Sequence, residues 1–178
     1  AQNTALGYSA LYANTTGTSN TAAGYASLTS NTTGEANTAF GRDALYNNTT
    51  ASNNTAVGSE TLEANTTGTA NCAFGAGALH ANTTADNNNA FGYIALGKCT
   101  TGTKNCAFGK SAGQEVTTAS SNTLIGHDSA GNLTTGSSNT CIGRSSGVGL
   151  TTGTQNVIIG AECQNSCGNT SNQTMCGY

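Results

Sequence analysis

Apolar and polar residues recur with one fixed spacing along the whole chain. Glycine occupies every seventeenth position from Gly7 to Gly177, and the consensus of the unit around it reads Asn-Thr-Ala-apolar-Gly, then Leu, then Thr-Thr-Gly. Seventeen residues are too few for a helical hairpin repeat or a propeller blade, and no 3.6-residue apolar stripe is present. The pattern predicts a single all-β domain, a parallel β-solenoid of about ten coils whose equivalent residues stack about 4.8 Å apart.

The short strand before each glycine is apolar on both faces. One face carries the aromatic column, which consists of Leu6, Ala23, Phe40, Val57, Phe74, Phe91, Phe108, Ile125, Ile142, Ile159 and Cys176. The other face carries the alanine column, which consists of Ala5, Ala22, Ala39, Ala56, Ala73, Ala90, Ala107, Leu124, Cys141, Ile158 and Met175. Such a strand is normally buried on both sides, and one narrow coil has a single interior.

We therefore expect the aromatic column to fill the core and a second copy of the chain to cover the alanine column. The alternative is that the small alanines lie on a solvated face. The predicted self-association residues are Ala5, Ala22, Ala39, Ala56, Ala73, Ala90, Ala107, Leu124 and Ile158.

Two further columns exchange their large residue near Cys99. The position four after each glycine is Leu from Leu11 to Leu96 and then Gly or Ala, while the position three further on changes from Asn to Val or Leu. Because the apolar volume per coil stays about constant, both positions are expected to border one interior. We expect one domain, 1–178, with sub-sections of about 1–97 and 98–160 and an altered end coil, 161–178.

Composition restricts the class of function. The chain has 24 glycines, no proline, 7% charged residues and a net charge of −3. No basic stripe is present to bind nucleic acid, and no apolar stretch approaches the roughly 20 residues of a membrane span. We expect neither nucleic-acid nor membrane contact by this segment, and a start at Ala1 without a signal segment suggests a piece or processed form of a longer protein.

Catalytic chemistry has little support. His80 and His127 occupy different columns of distant coils, so they cannot share a site within one chain. Some acids share one column, where a solvated edge explains them better than a paired-carboxylate site does; they are Asp43, Glu60, Asp128 and Glu162. We expect a protein that is not an enzyme and has no cofactor and no metal site.

Seven cysteines leave at least one thiol unpaired. Cys99 with Cys106, or Cys163 with Cys167, are close enough in sequence to pair across a turn, and the second pair is the candidate disulfide of the end coil. Four cysteines in the strand columns are expected to be buried small apolar residues; they are Cys72, Cys106, Cys141 and Cys176.

The Asn-Thr-Thr runs match the N-glycosylation acceptor pattern. They occur in register at Asn14, Asn31, Asn48, Asn65 and Asn82. A ladder of amides, each bonded to the next coil, is the favoured interpretation because an amide carries both a donor and an acceptor.

Elements such as Asn37-Thr38-Ala39-Phe40-Gly41 resemble the head repeats of YadA-like trimeric autotransporter adhesins, although those repeats are shorter. Residues 3–17 are similar to repeats of bacterial and phage tail-fibre proteins. The resemblance covers essentially the whole chain, from Asn3 to Gly160. It implies a left-handed β-roll, three chains side by side, and export to a cell surface or virion.

We therefore expect a stiff, self-associating structural or adhesive fibre segment, a homo-oligomer with a trimer favoured, located outside the cell or on a virion. A host-surface receptor or glycan is the expected partner, with Tyr8, Tyr25 and Tyr93 as candidate contacts. The alternative is an ice-binding solenoid that uses Thr-x-Thr arrays such as Thr16-Gly17-Thr18, which Glu35 and Asp86 interrupt.

Overall fold

The computed structural model describes residues 2–164 and 169–177, and eleven three-residue strands form one parallel sheet in chain order. The strands are β1 (Thr4–Leu6), β2 (Thr21–Ala23), β3 (Thr38–Phe40), β4 (Thr55–Val57), β5 (Cys72–Phe74), β6 (Asn89–Phe91), β7 (Cys106–Phe108), β8 (Thr123–Ile125), β9 (Thr140–Ile142), β10 (Val157–Ile159) and β11 (Thr174–Cys176). Neighbouring strands pair in register, as Thr21 does with Thr38. The predicted all-β parallel solenoid of about ten turns is confirmed. Among the described residues, none forms a helix of the length and hydropathy that a membrane crossing requires.

The invariant glycine follows each strand because no other residue fits there. Gly41 and Gly143 have φ angles of +134° and +131°, which residues with a side chain rarely adopt. A Cβ on either residue would also lie 2.6 Å from the carbonyl carbon of the glycine in the next coil. The glycine column is therefore a requirement of the backbone path.

The alanine column, and not the aromatic column, faces the interior. From Ala22 to Ile158 the alanine column has no exposed surface, while Phe40 and Phe108 are 46% and 42% exposed. The expectation that the aromatic column fills the core is therefore wrong. Buried leucines from Leu28 to Leu96 already occupy the narrow interior, so a methyl group fits where a phenyl ring would not.

A first ladder of buried asparagines holds successive coils together. It extends from Asn3 to Asn156, one residue before each strand. The backbone N–H of Asn54 donates to Oδ1 of Asn37 at 3.0 Å, and the Asn54 Nδ2 donates to the Gly68 carbonyl at 2.9 Å. Each amide thus satisfies backbone groups that the turn leaves unpaired.

The second amide ladder is the one that the Asn-Thr-Thr runs predict. The Nδ2 of Asn48 donates to Oδ1 of Asn31 at 2.9 Å, and the pattern extends from Asn14 to Asn82. The ladder is confirmed. Asn31 to Asn82 are fully buried in it, so a glycan has no room at those four positions.

The second ladder ends where the core changes. The Cys99 thiol follows Asn82 in this column and donates to the Gly102 carbonyl at 3.3 Å. As a result, Oδ1 of Asn82 has no hydrogen-bond partner among the described residues. In the following coils Val116 and then two leucines are fully buried at the same position.

The backbone four residues after each invariant glycine is left-handed throughout. Leu28 and Leu45 have φ angles of 50° and 53° there, whereas Gly113 and Gly147 have 60° and 68°. A Cβ on Gly113 would lie 2.5 Å from Cδ1 of Leu124. The large residue has therefore moved from the left-handed position into the alanine column, and both columns border one interior.

Candidate interaction surfaces

The outer face of the sheet is a continuous, partly apolar surface. It combines the aromatic column with the outer threonine column, which consists of Thr4, Thr21, Thr38, Thr55, Cys72, Asn89, Cys106, Thr123, Thr140, Val157 and Thr174. The rings of Phe74 and Phe91 stack with centroids 5.0 Å apart, and those of Phe91 and Phe108 stack at 4.4 Å, each pair within 8° of parallel. Since successive rings are nearly parallel, the coils rotate little here and the face is almost flat.

The predicted self-association residues do not lie on this face. Ala22 to Ile158 are enclosed by their own chain, so they cannot contact a second copy, and of the predicted set only Ala5 in the first coil is exposed. The prediction is therefore wrong: the alanine column, which was predicted to contact a second copy, lies in the core, and the aromatic column, which was predicted to fill the core, is exposed. The surface open to a second copy is the aromatic column.

An open groove of about 370 Å³ follows one edge of the first four coils. Its lining consists of Tyr8, Ser9, Tyr25, Ala26, Thr29, Asp43, Tyr46 and Glu63. The rings of Tyr8 and Tyr25 stack 5.3 Å apart and 12° from parallel. Tyr8 and Tyr25 thus lie together, whereas Tyr93, also exposed, lies coils away and outside the lining.

Sequence reasoning missed the rest of this groove. Tyr46 and Glu63 come from the column five after each invariant glycine, and the tyrosine pair comes from the column directly after it. The fold of the turn brings these columns together, and no sequence signal gives that fold. One signal in the sequence could have indicated the groove: four of the six tyrosines fall in the first three coils.

A cluster of charged groups adjoins the groove. Ligand atoms of Glu60, Glu63 and His80 lie within 4.8 Å of one another, a separation that a divalent cation could bridge. Ion pairs account for the cluster, however: Glu60 binds Arg42, and Nδ1 of His80 lies 3.4 Å from Oε2 of Glu63. The hydrogen bond that the Arg42 guanidinium donates to the Glu60 carboxylate raises the pKa of Arg42, which keeps this pair charged.

The threonines of the alternative ice-binding hypothesis lie outside the strands, the first of each array on a bend. Nine exposed threonines form the edge threonine column: Thr16, Thr33, Thr50, Thr67, Thr84, Thr101, Thr118, Thr135 and Thr152. Within the described ranges, their hydroxyls make no hydrogen bond to the protein. The second threonine of each array is partly buried, and Asp86 there accepts from the Thr69 N–H at 2.6 Å.

Cys72 and Cys106 lie in the outer threonine column, and Cys99 and Cys141 lie in the core. Cys72 and Cys106 are partly exposed and unpaired, which corrects the expectation that they are buried. Burial raises the pKa of the Cys99 thiol to about 11 and that of Cys141 to about 12. Neither Cys99 nor Cys106 is in a disulfide, so the pairing of these two across a turn is wrong.

The other three cysteines, Cys163, Cys167 and Cys176, belong to the last coils. Cys176 is exposed and unpaired, which again corrects an expectation of burial. The predicted pairing of Cys163 with Cys167 falls outside the described residues, because Cys167 is not among them.

No protein-family model, curated protein or solved structure matches the chain. Three surfaces of the chain are candidates for a function: the outer sheet face, the groove lined by Tyr8, Tyr25 and Tyr46 (the tyrosine groove), and the edge threonine column.

Proposed function

We propose that this chain is a non-enzymatic fibre segment, a stiff rod whose copies associate side by side through the outer sheet face. The observation that carries the proposal is the exposed aromatic column. From Phe40 to Ile159 every residue of this column is a large apolar one, and such a row along roughly 35 Å of rod is unusual on a solvated surface. The amide ladders supply stiffness, because they tie each coil to the next.

The location of such a rod is the cell surface, an extracellular filament or a virion, as the resemblance to adhesin and tail-fibre repeats implies. That resemblance also favours a left-handed coil and three copies. The apolar face supports association of copies without fixing their number.

Mass in solution tests the association directly. We expect light scattering and sedimentation equilibrium to give a multiple of the chain mass of 17.6 kDa. Phe108→Lys places a charge on the face and should shift the protein to monomer, while Tyr93→Lys, exposed elsewhere, should not. A wild-type monomer at high concentration would overturn the proposal.

The tyrosine groove is the proposed contact for a receptor glycan. Tyrosine faces stack on the apolar side of a sugar ring, and the carboxylates of Asp43 and Glu63 accept hydrogen bonds from sugar hydroxyls. Tyr25→Ala should abolish binding on a glycan array, and Tyr93→Ala should leave it unchanged. Equal binding by both variants would remove the groove from the proposal.

Ice binding is the second candidate, and the edge threonine column favours it. Its nine hydroxyls are free of protein partners and repeat at the coil spacing of about 4.8 Å. Thermal hysteresis of micromolar protein, lost in Thr84→Lys and retained in Phe108→Lys, would support this function over the fibre. Its absence in the wild-type protein would eliminate it.

A further inference from the structure

The outer threonine column is nearly symmetric about β6, the strand that carries Asn89. We infer that two copies of the chain pair face to face and antiparallel, across a two-fold axis that runs along β6. The inference rests on the proposed self-association and adds its direction and its number.

The outer threonine column reads almost identically in both directions from Asn89. The matching pairs next to the centre are Cys72 with Cys106, Thr55 with Thr123 and Thr38 with Thr140. The one mismatch sets Thr21 against Val157. Threonine is the commonest residue of the column, so the informative part is the Cys-Asn-Cys centre. Antiparallel copies centred on β6 set cysteine against cysteine.

The aromatic column has the same centre. Phe91 lies on the axis, and Phe74 and Phe108, one strand to each side, face each other across the pair. Farther out, Val57 faces Ile125, again apolar against apolar. The near-parallel stacking of Phe74, Phe91 and Phe108 gives the centre a regular row of rings that a second such row can pack against.

A two-fold axis along the strand direction fits this face better than a two-fold axis along the length of the rod. A two-fold axis along the rod reverses the strand direction in the second copy, so the outer threonine column would lie on the aromatic column. An axis along the strand sets each column opposite itself. Only the second arrangement buries aromatic side chains against aromatic side chains and leaves the hydroxyls together.

Asn89 lies where the two-fold axis passes. Its side chain is exposed and forms no hydrogen bond with any described residue. An amide has both a donor and an acceptor, so two Asn89 amides related by the axis can exchange two hydrogen bonds. In a register shifted by whole strands each amide would face a cysteine, a threonine or Val157 of the same column, and the reciprocal amide pair would be lost.

The face is large enough for a stable pair. A sheet of eleven strands at about 4.8 Å spans roughly 50 Å, and three residues per strand give a width of roughly 10 Å. Two such faces together bury on the order of 1,000 Å², about the lower limit for a specific interface.

Cross-linking the natural thiols tests the direction of the pair. The background variant carries Cys163→Ser, Cys167→Ser and Cys176→Ser, so Cys72 and Cys106 are the accessible thiols that remain. A short bis-maleimide links two such thiols. Each sulfur bonds to one alkene carbon, and the proton goes to the neighbouring carbon. Cys72→Ser alone and Cys106→Ser alone should each fail to link two chains. A mixture of the two variants, after exchange, should yield a linked pair that joins Cys72 of one copy to Cys106 of the other. Linking within either single variant would overturn the antiparallel arrangement.

Asn89→Asp tests the centre. It sets two carboxylates against each other on the axis and should raise the dimer dissociation constant at least roughly tenfold. Asn53→Asp, with the same charge change on another exposed side chain, is the matched control and should change little. Unchanged dimers in Asn89→Asp would place the axis elsewhere.

Mass separates this inference from the proposed function. A dimer supports both. A trimer retains the self-associating fibre and overturns the antiparallel pair, whereas a monomer overturns both.

Discussion

The coils before and after residue 98 fill the same cross-section in two ways. In the first, a leucine such as Leu45 occupies the left-handed position, an alanine lies opposite it, and an asparagine ladder fills the remaining corner. In the second, Gly113 takes the left-handed position, Leu124 fills the interior from the strand, and Val116 replaces the amide. The path of the backbone is common to both, so the coil sets the conformation and the side chains adapt to it.

The two solutions distribute their costs differently. A leucine in the left-handed region is strained by roughly 1–2 kcal/mol, and six successive coils from Leu11 to Leu96 accept this. Gly113 and Gly147 remove the strain, yet glycine loses more freedom on folding. In exchange, the first solution has a second ladder of interlocked amides, and in the second Val116 and two leucines fill the place of that ladder.

The largest effect should come from the feature that both regions share. Gly41→Ala and Gly143→Ala each place a Cβ against the backbone of the next coil, and each should cost about 4 kcal/mol or more. Urea unfolding measures the loss. Gly77→Ala is the control, because Ala26 occupies the equivalent left-handed position in another coil, and it should cost only about 1 kcal/mol. If only one of the two invariant glycines were sensitive, the regions would not share one backbone path.

The second-largest effect is expected when the packing of the later coils is changed to that of the earlier coils. Gly113→Leu forces a side chain against Leu124 and should cost about 3 kcal/mol in the free energy of unfolding. Leu124→Ala alone leaves a cavity and should cost about 2–5 kcal/mol. The double variant recreates the first solution and should be more stable than either single variant. Additive losses in a double-mutant cycle would mean that the two positions do not share volume.

The end of the amide ladder should be cheaper to alter than its middle. Asn48→Val orphans the Asn31 oxygen and removes the acceptor of the Asn65 amide. Asn82→Val also orphans one oxygen, but it removes the one that is already unpaired. Denaturant unfolding should therefore show Asn48→Val to be less stable than Asn82→Val by about 2 kcal/mol. Equal losses would mean that the amides do not act as a ladder.

The smallest expected effect concerns the thiol of Cys99, which lies where the second amide ladder ends. Cys99 ionises near pH 9 when unfolded and only near pH 11 in the fold, so the unfolded state binds fewer protons between these values. Its contribution to stability is therefore complete below pH 9 and falls as pH rises, by about 1 kcal/mol between pH 9 and pH 10. Urea unfolding at both pH values measures it. Cys99→Val should remove this part of the slope, and an unchanged slope would show that other groups cause it.

Much of this fold could be predicted from the sequence, because one fixed period dictates stacking of equivalent residues. The period predicted the solenoid, and the Asn-Thr-Thr runs predicted the ladder at Asn14 to Asn82. The orientation of the strand could not be predicted, because both of its faces are apolar. Which face turns inward depends on the space left by residues such as Leu45, and sequence spacing does not measure that space.

The interaction surfaces, too, could be predicted only in part from the sequence. The column of Tyr8 and Tyr25 was recognisable because residues of one column must stack. Contacts between columns depend on how the turn folds, and so the position of Tyr46 beside Asp43 and Glu63 could not be predicted. The symmetry about Asn89 is present in the printed sequence. It gains meaning only when the outer threonine column is known to face outward.

The amide ladders have a consequence for how such a chain changes over generations. Every rung joins residues 17 positions apart, so the gain or loss of one whole unit leaves each remaining rung intact. Rod length can then vary in steps without refashioning the fold, whereas a deletion of one or two codons disrupts every column at once. A symmetric face adds one restriction. A unit inserted on one side of Asn89 moves every residue beyond it by one strand, so the matching pairs of the outer threonine column no longer face each other there.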